Sequence, residues 1–162
     1  MQYSLKVIQK WDGARQSNTV QKKLKRIASF KSRDRHQVAD NVHQKVFNDF
    51  DCLSCANCCK TLPALISKRD IKRIAKHMDL MPAEFEDKYI RLDEDGDMVI
   101  DGAPCPFLQE DNKCSIYDVR PSACRQYPHS GENQFYAHIE LHRKNIKHCP
   151  ALFEIVNMLE SD

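Results

Sequence analysis

Eight cysteines set the terms on which this chain can fold. Four stand close together as Cys52-Leu-Ser-Cys55-Ala-Asn-Cys58-Cys59, the spacing C-x2-C-x2-C-C, and Cys105, Cys114, Cys124 and Cys149 follow. Two residues between cysteines let both thiolates turn into one site from a tight bend, where backbone N–H groups also support the sulfur charge. The vicinal pair carries a further constraint. Side chains of adjacent residues diverge, so Cys58 and Cys59 fit two sites, or two metals of one cluster, better than one tetrahedral ion. Eight thiolates are enough for two four-coordinate sites, and spacing leaves open which four belong together. Burial of inert thiols does not generate such a pattern. A thiol–disulfide enzyme would place C-x-x-C after a strand of a βαβ unit, whereas Cys52 follows a helical pattern.

Composition supports the metal reading. The chain has 162 residues, of which 41% are hydrophobic and 30% charged, and its mean hydropathy is −0.63. That is enough for one modest core, which a metal crosslink would strengthen. Cysteine content falls below the level that marks disulfide scaffolds, and a reducing cytosol would keep such pairs open. The beginning of the chain has no continuous apolar run of the secretory kind, and no stretch is long enough to span a bilayer. The expectation is a cytoplasmic protein with no membrane segment. The four glycines form neither GxGxxG nor GxxxxGK[ST], which argues against a phosphate-cradling loop.

Charge is unevenly spread. Residues 1–50 hold eleven Lys/Arg against four Asp/Glu, a net +7, and the remainder is −5. We therefore expect a basic helical N-terminal arm over 1–50 and a cysteine-cluster domain over 51–162. Within the arm, Lys22–Arg35 reads KKLKRIASFKSRDR. It is a candidate contact for an acidic protein or nucleic acid, although Phe30 is its only aromatic and RNA readers interleave several. A solvated helix face is the simpler reading.

The fold expected is mainly α with a small β-hairpin and an irregular, metal-organised, cysteine-rich core. Residues 1–16 carry no clear signal. A helical period begins at Thr19, with Val20, Leu24, Ile27 and Ala28 on one face. A second runs from Asp34 to Phe50 through Val38, Val42 and Val46. Residues 51–63 read as loop. Ser67 and Asp70 give a capping-box-like start to a helix with an Ile71, Ile74, Ala75, Met78 stripe. Pro82 suits the first turn of another helix, reaching Ile90. Arg91–Ile100 reads as a hairpin turning near Asp95-Gly96. Residues 103–131 are punctuated by Pro and Cys, and Gln134–Lys147 and Pro150–Leu159 read as final helices.

The metal itself stays open at this level. Bacterial ferredoxins use C-x2-C-x2-C-x3-C-P. Cys52, Cys55 and Cys58 match its first three ligands and Pro63 its proline, but Leu62 stands at the fourth position. A remote cysteine would have to complete the set, and Cys105-Pro106 and Cys149-Pro150 are both available. Zinc or an iron–sulfur cluster is the expected cofactor.

Read in order, C-L-S-C-A-N-C-C, Pro104-Cys-Pro-Phe-Leu108, Cys114-Ser-Ile-Tyr-Asp-Val-Arg-Pro121 and Cys124-Arg-Gln-Tyr-Pro128 resemble the YkgJ-type cysteine-cluster family, the CxxCxxCC family of zinc- or iron-chelating domains. The resemblance covers roughly residues 50–130 and extends to Cys149. It implies that Cys52, Cys55, Cys58, Cys59, Cys105, Cys114 and Cys124 are metal ligands, with Cys149 beside them. The family includes flagellin lysine-N-methylases in which an iron–sulfur centre is implicated. This chain looks shorter, and it has neither a recognisable S-adenosylmethionine motif nor the radical-type C-x3-C-x2-C. An iron–sulfur oxidoreductase or methylase-like enzyme is thus an alternative to a metal-binding module, and no catalytic residue stands out.

Thiolate-held metals are anionic, so neighbouring cations tune them. Lys60 and Arg125 abut ligand cysteines and Arg120 lies just before Cys124. These three are the candidates for that role, against ordinary surface pairing such as Arg120 with Asp118. Tyr117 and Tyr127 are candidates for shielding the centre from water. His138 and His142 lie four apart as H-I-E-L-H, but Ile139 stands where a zincin has Glu, so a surface or core role is favoured. His148 ranks below Cys149 as a ligand.

Overall fold

The computed structural model describes residues 2–161. It is mainly helical with one small antiparallel hairpin. The helices are α1 Gln2–Ala14, α2 Asn18–Ser29, α3 Arg35–Asp49, α4 Cys52–Cys55, α5 Asn57–Thr61, α6 Lys68–His77, α7 Pro82–Tyr89, α8 Ser122–Gln126, α9 Ile139–Asn145 and α10 Pro150–Ser161. The strands are β1 Ile90–Leu92 and β2 Met98–Ile100. The chain divides into two compact units. One runs through Cys55 and resumes at Pro128, and the other is Ala56–Tyr127.

The first unit is built around α10. Ala151, Leu152, Phe153, Ile155 and Val156 are all buried, so this helix is apolar on most of its circumference and needs cover on several sides. Helices α1, α2 and α3 supply it. Ser17 starts α2 by accepting a hydrogen bond from the Thr19 N–H, and Val20, Leu24 and Ile27 form its buried face. On α3 the buried face is Ala39, Val42 and Val46, followed by Phe50. The expected Val38 is instead 37% exposed, because the stripe follows the helical period of 3.6 rather than a strict four. Helix α1 was not legible from its residues. It is anchored by Val7 and Trp11, whose indole N–H donates to the Ile146 carbonyl at 2.8 Å, and by Ser4, whose hydroxyl accepts from the Asp51 N–H.

The second unit packs α6, α7 and the hairpin around Ile66, Ile71, Ile74, Ala75, Phe85, Ile100, Phe107 and Ile116. The Ser67–Asp70 capping box closes both ways, and Pro82 opens α7 while Glu84 accepts from the Met81 N–H. The hairpin pairs Ile90 with Ile100, Arg91 with Val99 and Leu92 with Met98. Its turn is held by the Asp93 carboxylate, which accepts from the N–H groups of Asp95 and Asp97, with Gly96 at φ +83. Gly102, at φ +110, leads into the cysteine-bearing stretch. A Cβ there would lie 3.1 Å from the Pro104 carbonyl oxygen, so glycine is required twice over. Residues 51–63, expected as loop, instead contain the short helices α4 and α5, separated by Ala56 in the left-handed region at φ +48.

Candidate metal centre

In the first unit, α4 is a single turn. The Asp51 carboxylate accepts from the Leu53 N–H and the Ser54 hydroxyl donates to the Asp51 carbonyl, which starts the turn. Spacing i, i+3 then puts Cys52 and Cys55 on one side of it. Cys149 immediately precedes α10, is buried, and its sulfur accepts from the Leu152 N–H at 3.4 Å. Burial pushes the Cys149 thiol well up, and the charges of Cys52 and Cys55 push it the same way. Cys149 thus lies within electrostatic reach of both cysteines of α4.

In the second unit, Cys58 and Cys59 lie on α5 with their sulfurs 4.0 Å apart. The thiol contact from Cys58 holds Cys59 down at about 7 against the effect of burial, and the Lys60 ammonium acts in the same direction as Cys58. The Cys105 N–H donates to the Cys59 carbonyl at 2.8 Å, which ties the Pro104–Leu108 stretch to α5. Leu108 and Cys114 then face each other in a single antiparallel bridge, and both Cys105 and Cys114 pack against the apolar cluster. Burial raises the Cys105 thiol, and the charges of Cys59 and Cys114 add to that. Cys114 is raised by burial and by Cys59, with Arg120 opposing. Cys124 on α8 is pushed up to about 12, first by burial and then by Cys59, Cys105 and Cys114, again with Arg120 opposing. Four thiols from four stretches form one electrostatic neighbourhood.

Asp70 positions the last of these. Its carboxylate is 3% exposed and accepts from the Arg73 guanidinium at 2.6 Å, from the Ser67 hydroxyl at 2.6 Å, and from the Ser122 N–H and hydroxyl at 3.2 and 3.0 Å. Arg73 also donates to the Arg120 carbonyl at 2.9 Å. Burial alone would raise Asp70, but the bonds from Ser67, Arg73 and Ser122 hold it far below the usual carboxylate range. The first turn of α8, two residues before Cys124, is thereby fixed to the start of α6. In the sequence Asp70 reads only as a cap; nothing there marks its link to Ser122.

Arg120, whose charge reaches Cys114 and Cys124, lies over the Tyr117 ring at 3.9 Å. Tyr117 itself is 42% exposed. Arg125 donates to the carbonyls of Asp118 and Arg120, and Tyr127 is half-buried. His142 is fully buried, with neither ring nitrogen meeting a hydrogen-bond partner among the described residues. His138 lies against His129, ring centres 5.4 Å apart. His148 is half-buried beside Cys149. Lys22–Arg35 covers most of α2 and the turn into α3. Within it Lys23 donates to Asn157 at 2.9 Å and Arg35 lies over the Tyr136 ring. Among the described residues no helix is long and apolar enough to cross a membrane, and no three His, Cys, Asp or Glu side chains converge closely enough to hold a metal ion. The thiols are gathered but not drawn in to one point.

A protein of Methanocaldococcus jannaschii, titled "Uncharacterized protein MJ0661", is 32% identical over 84 residues, which is 50% of this chain and 45% of that protein. This chain thus matches less than half the length of that relative. No solved structure gives a significant match. Residues 51–150, which include all eight cysteines, match the model of the CxxCxxCC family, described as "Putative zinc- or iron-chelating domain", and the chain belongs to that family.

Proposed function

We propose that this chain is a metal-binding module that holds zinc or an iron–sulfur centre through Cys52, Cys55, Cys58, Cys59, Cys105, Cys114, Cys124 and Cys149. One observation carries the reading: cysteines from separate stretches of chain are brought together by the fold, with the Cys105 N–H bonded to the Cys59 carbonyl, Cys114 bridged to Leu108 and the start of the Cys124 helix held by Asp70. Thiols gathered in this way lose their protons most readily when a bound cation offsets the charge that forms. The donor set is all sulfur, which suits zinc and iron–sulfur centres and not hard cations such as magnesium. The Lys60 and Arg120 charges, near Cys59 and near Cys114 and Cys124, suit an anionic thiolate-bound metal. Zinc bound here would crosslink the fold, and an iron–sulfur cluster would in addition carry an electron.

A second reading, an iron–sulfur oxidoreductase or group-transfer enzyme, is favoured by the ferredoxin-like run of Cys52, Cys55 and Cys58, in which Leu62 stands at the fourth ligand position. Three protein ligands is the number at which catalytic zinc, for one, keeps a position for water or substrate. Coordination number separates the two readings.

The test is mutational. Cys55→Ser and Cys124→Ser, each purified without oxygen, are expected to lose bound metal and soluble yield together, because metal binding and folding are coupled. Full metal content and an unchanged melting temperature in both variants would sink the proposal.

A further inference from the structure

We infer that the first unit carries a binding groove for a small phosphate monoester with an apolar body, built by Lys10, Lys23 and Lys45 beside α10. The inference goes beyond the metal-binding reading and uses none of its cysteines.

Residues 1–50 hold a net +7, and a centre made of cysteines gives that excess no task. The fold sorts these charges. On α2, Lys22, Lys25 and Arg26 are exposed, whereas Lys23 is half-buried and its ammonium donates to the Asn157 side chain on α10 at 2.9 Å. Lys23 shares a cavity of about 670 Å³ with Lys10 of α1 and Lys45 of α3. Each of the three helices that cover α10 thus gives one lysine to the same space, a convergence that no local run in the sequence records. Lys10 and Lys45 are exposed, and among the described residues neither is in an ion pair.

Charge and lining select the ligand class. Three ammonium groups stand against one carboxylate, Glu154, a balance of +2 among the described residues of the cavity. A phosphate monoester carries about −1.5 to −2 at pH 7 and offsets that balance, where a single carboxylate would leave positive charge over. Ammonium groups bind phosphate as point charges and need no planar fork. The rest of the lining is apolar. Val42, Phe153 and Met158 offer a surface on which the body of the ligand can lie. Phe153 and Asn157 are four apart on α10, as are Glu154 and Met158, so one face of the helix presents apolar and polar groups together. The volume is that of a small-molecule site and too small for a folded partner.

The experiment titrates the full chain, with its metal as purified, with phenyl phosphate, inorganic phosphate and phenol, followed by calorimetry. Phenyl phosphate is expected to bind saturably at one site per chain, inorganic phosphate more weakly, and phenol not measurably. Lys10→Gln and Lys45→Gln should each weaken phenyl phosphate about tenfold, the loss of one charge-assisted bond. Glu154→Gln should tighten it. Lys22→Gln removes the same charge from the exposed face of α2 and should leave the affinity within about threefold at about 0.15 M salt, where screening is strong. All three lysine variants replace exposed or surface-reaching side chains and should melt with the wild type. Failure of phenyl phosphate to saturate below about 10 mM overturns the groove. Equal weakening by Lys22→Gln and Lys45→Gln also overturns it, since the lysines then act only as a solvated positive face. Salt-sensitive retention of RNA, reduced alike by all three lysine variants, overturns it in favour of a nucleic-acid face. Metal is measured on the same samples. A chain that binds phenyl phosphate as expected but holds no metal supports the groove and overturns the metal-binding reading instead.

Discussion

The two groups of cysteines are built by different means. Cys59, Cys105, Cys114 and Cys124 come from four stretches of one unit, set against an apolar cluster and secured by a buried carboxylate. Cys52, Cys55 and Cys149 come from a one-turn helix and from the residue that precedes a long apolar helix. The first group depends on the fold around it for its geometry. In the second, Cys52 and Cys55 are placed by local spacing, and only Cys149 by packing. A motif that looks continuous in sequence is thus two pairs with different surroundings, and those surroundings differ in what would disturb them.

Removing Asp70 should separate the groups most strongly. Asp70→Ala leaves Arg73, the Ser67 hydroxyl and the Ser122 N–H without their shared acceptor, at an expected cost of about 4 kcal/mol. Alkylation of Cys124 should speed up while that of Cys149 stays near the wild-type rate. Equal rates at both sites, or no loss of stability on denaturant titration, would contradict the assignment. The sign of its pH effect is also fixed. A carboxyl held below its ordinary value contributes stability that is complete above about 4 and is lost only in stronger acid, as pH falls through the lowered value.

His142 perturbs the other unit. Burial holds it down at about 4, with His138 and His129 adding to the effect. Between about 6.5 and about 4 the unfolded chain binds a proton that the folded chain does not, so stability rises with pH across this window and falls as pH drops through it. The full effect is about 3 kcal/mol. His43, His129 and His148, also lowered by burial, act in the same direction. Comparing the wild-type chain with His142→Phe at each pH isolates the contribution, since acid release of metal is common to both. A difference between them that does not change from pH 7 to pH 4.5 would contradict it.

Much of this was legible from residues whose neighbours are local. The Ser67 cap, the Ile71–Ile74–Ala75 stripe, Pro82 at the start of a helix and the Asp95-Gly96 turn all depend on side chains within one turn of one another, and the structure has each of them. The eight cysteines stood out for the same reason. What sequence did not reveal depends on partners far along the chain. Helix α1 is fastened by a Trp11 bond to Ile146, the role of Asp70 lies in its bonds to Ser122, and the burial of His142 comes from tertiary packing. The grouping of Cys59 with Cys105, Cys114 and Cys124 belongs to the same class, because spacing records distance along the chain and not across it.

Metal and acid-labile sulfide per chain, measured with an absorption spectrum on wild-type protein purified without oxygen, tests the central claim most directly. Metal binding through the cysteines predicts either about two zinc ions with no sulfide and no colour, or iron with matching sulfide and a brown chromophore. A chain that is folded, colourless and free of both metals, with all eight thiols open to alkylation, would contradict it.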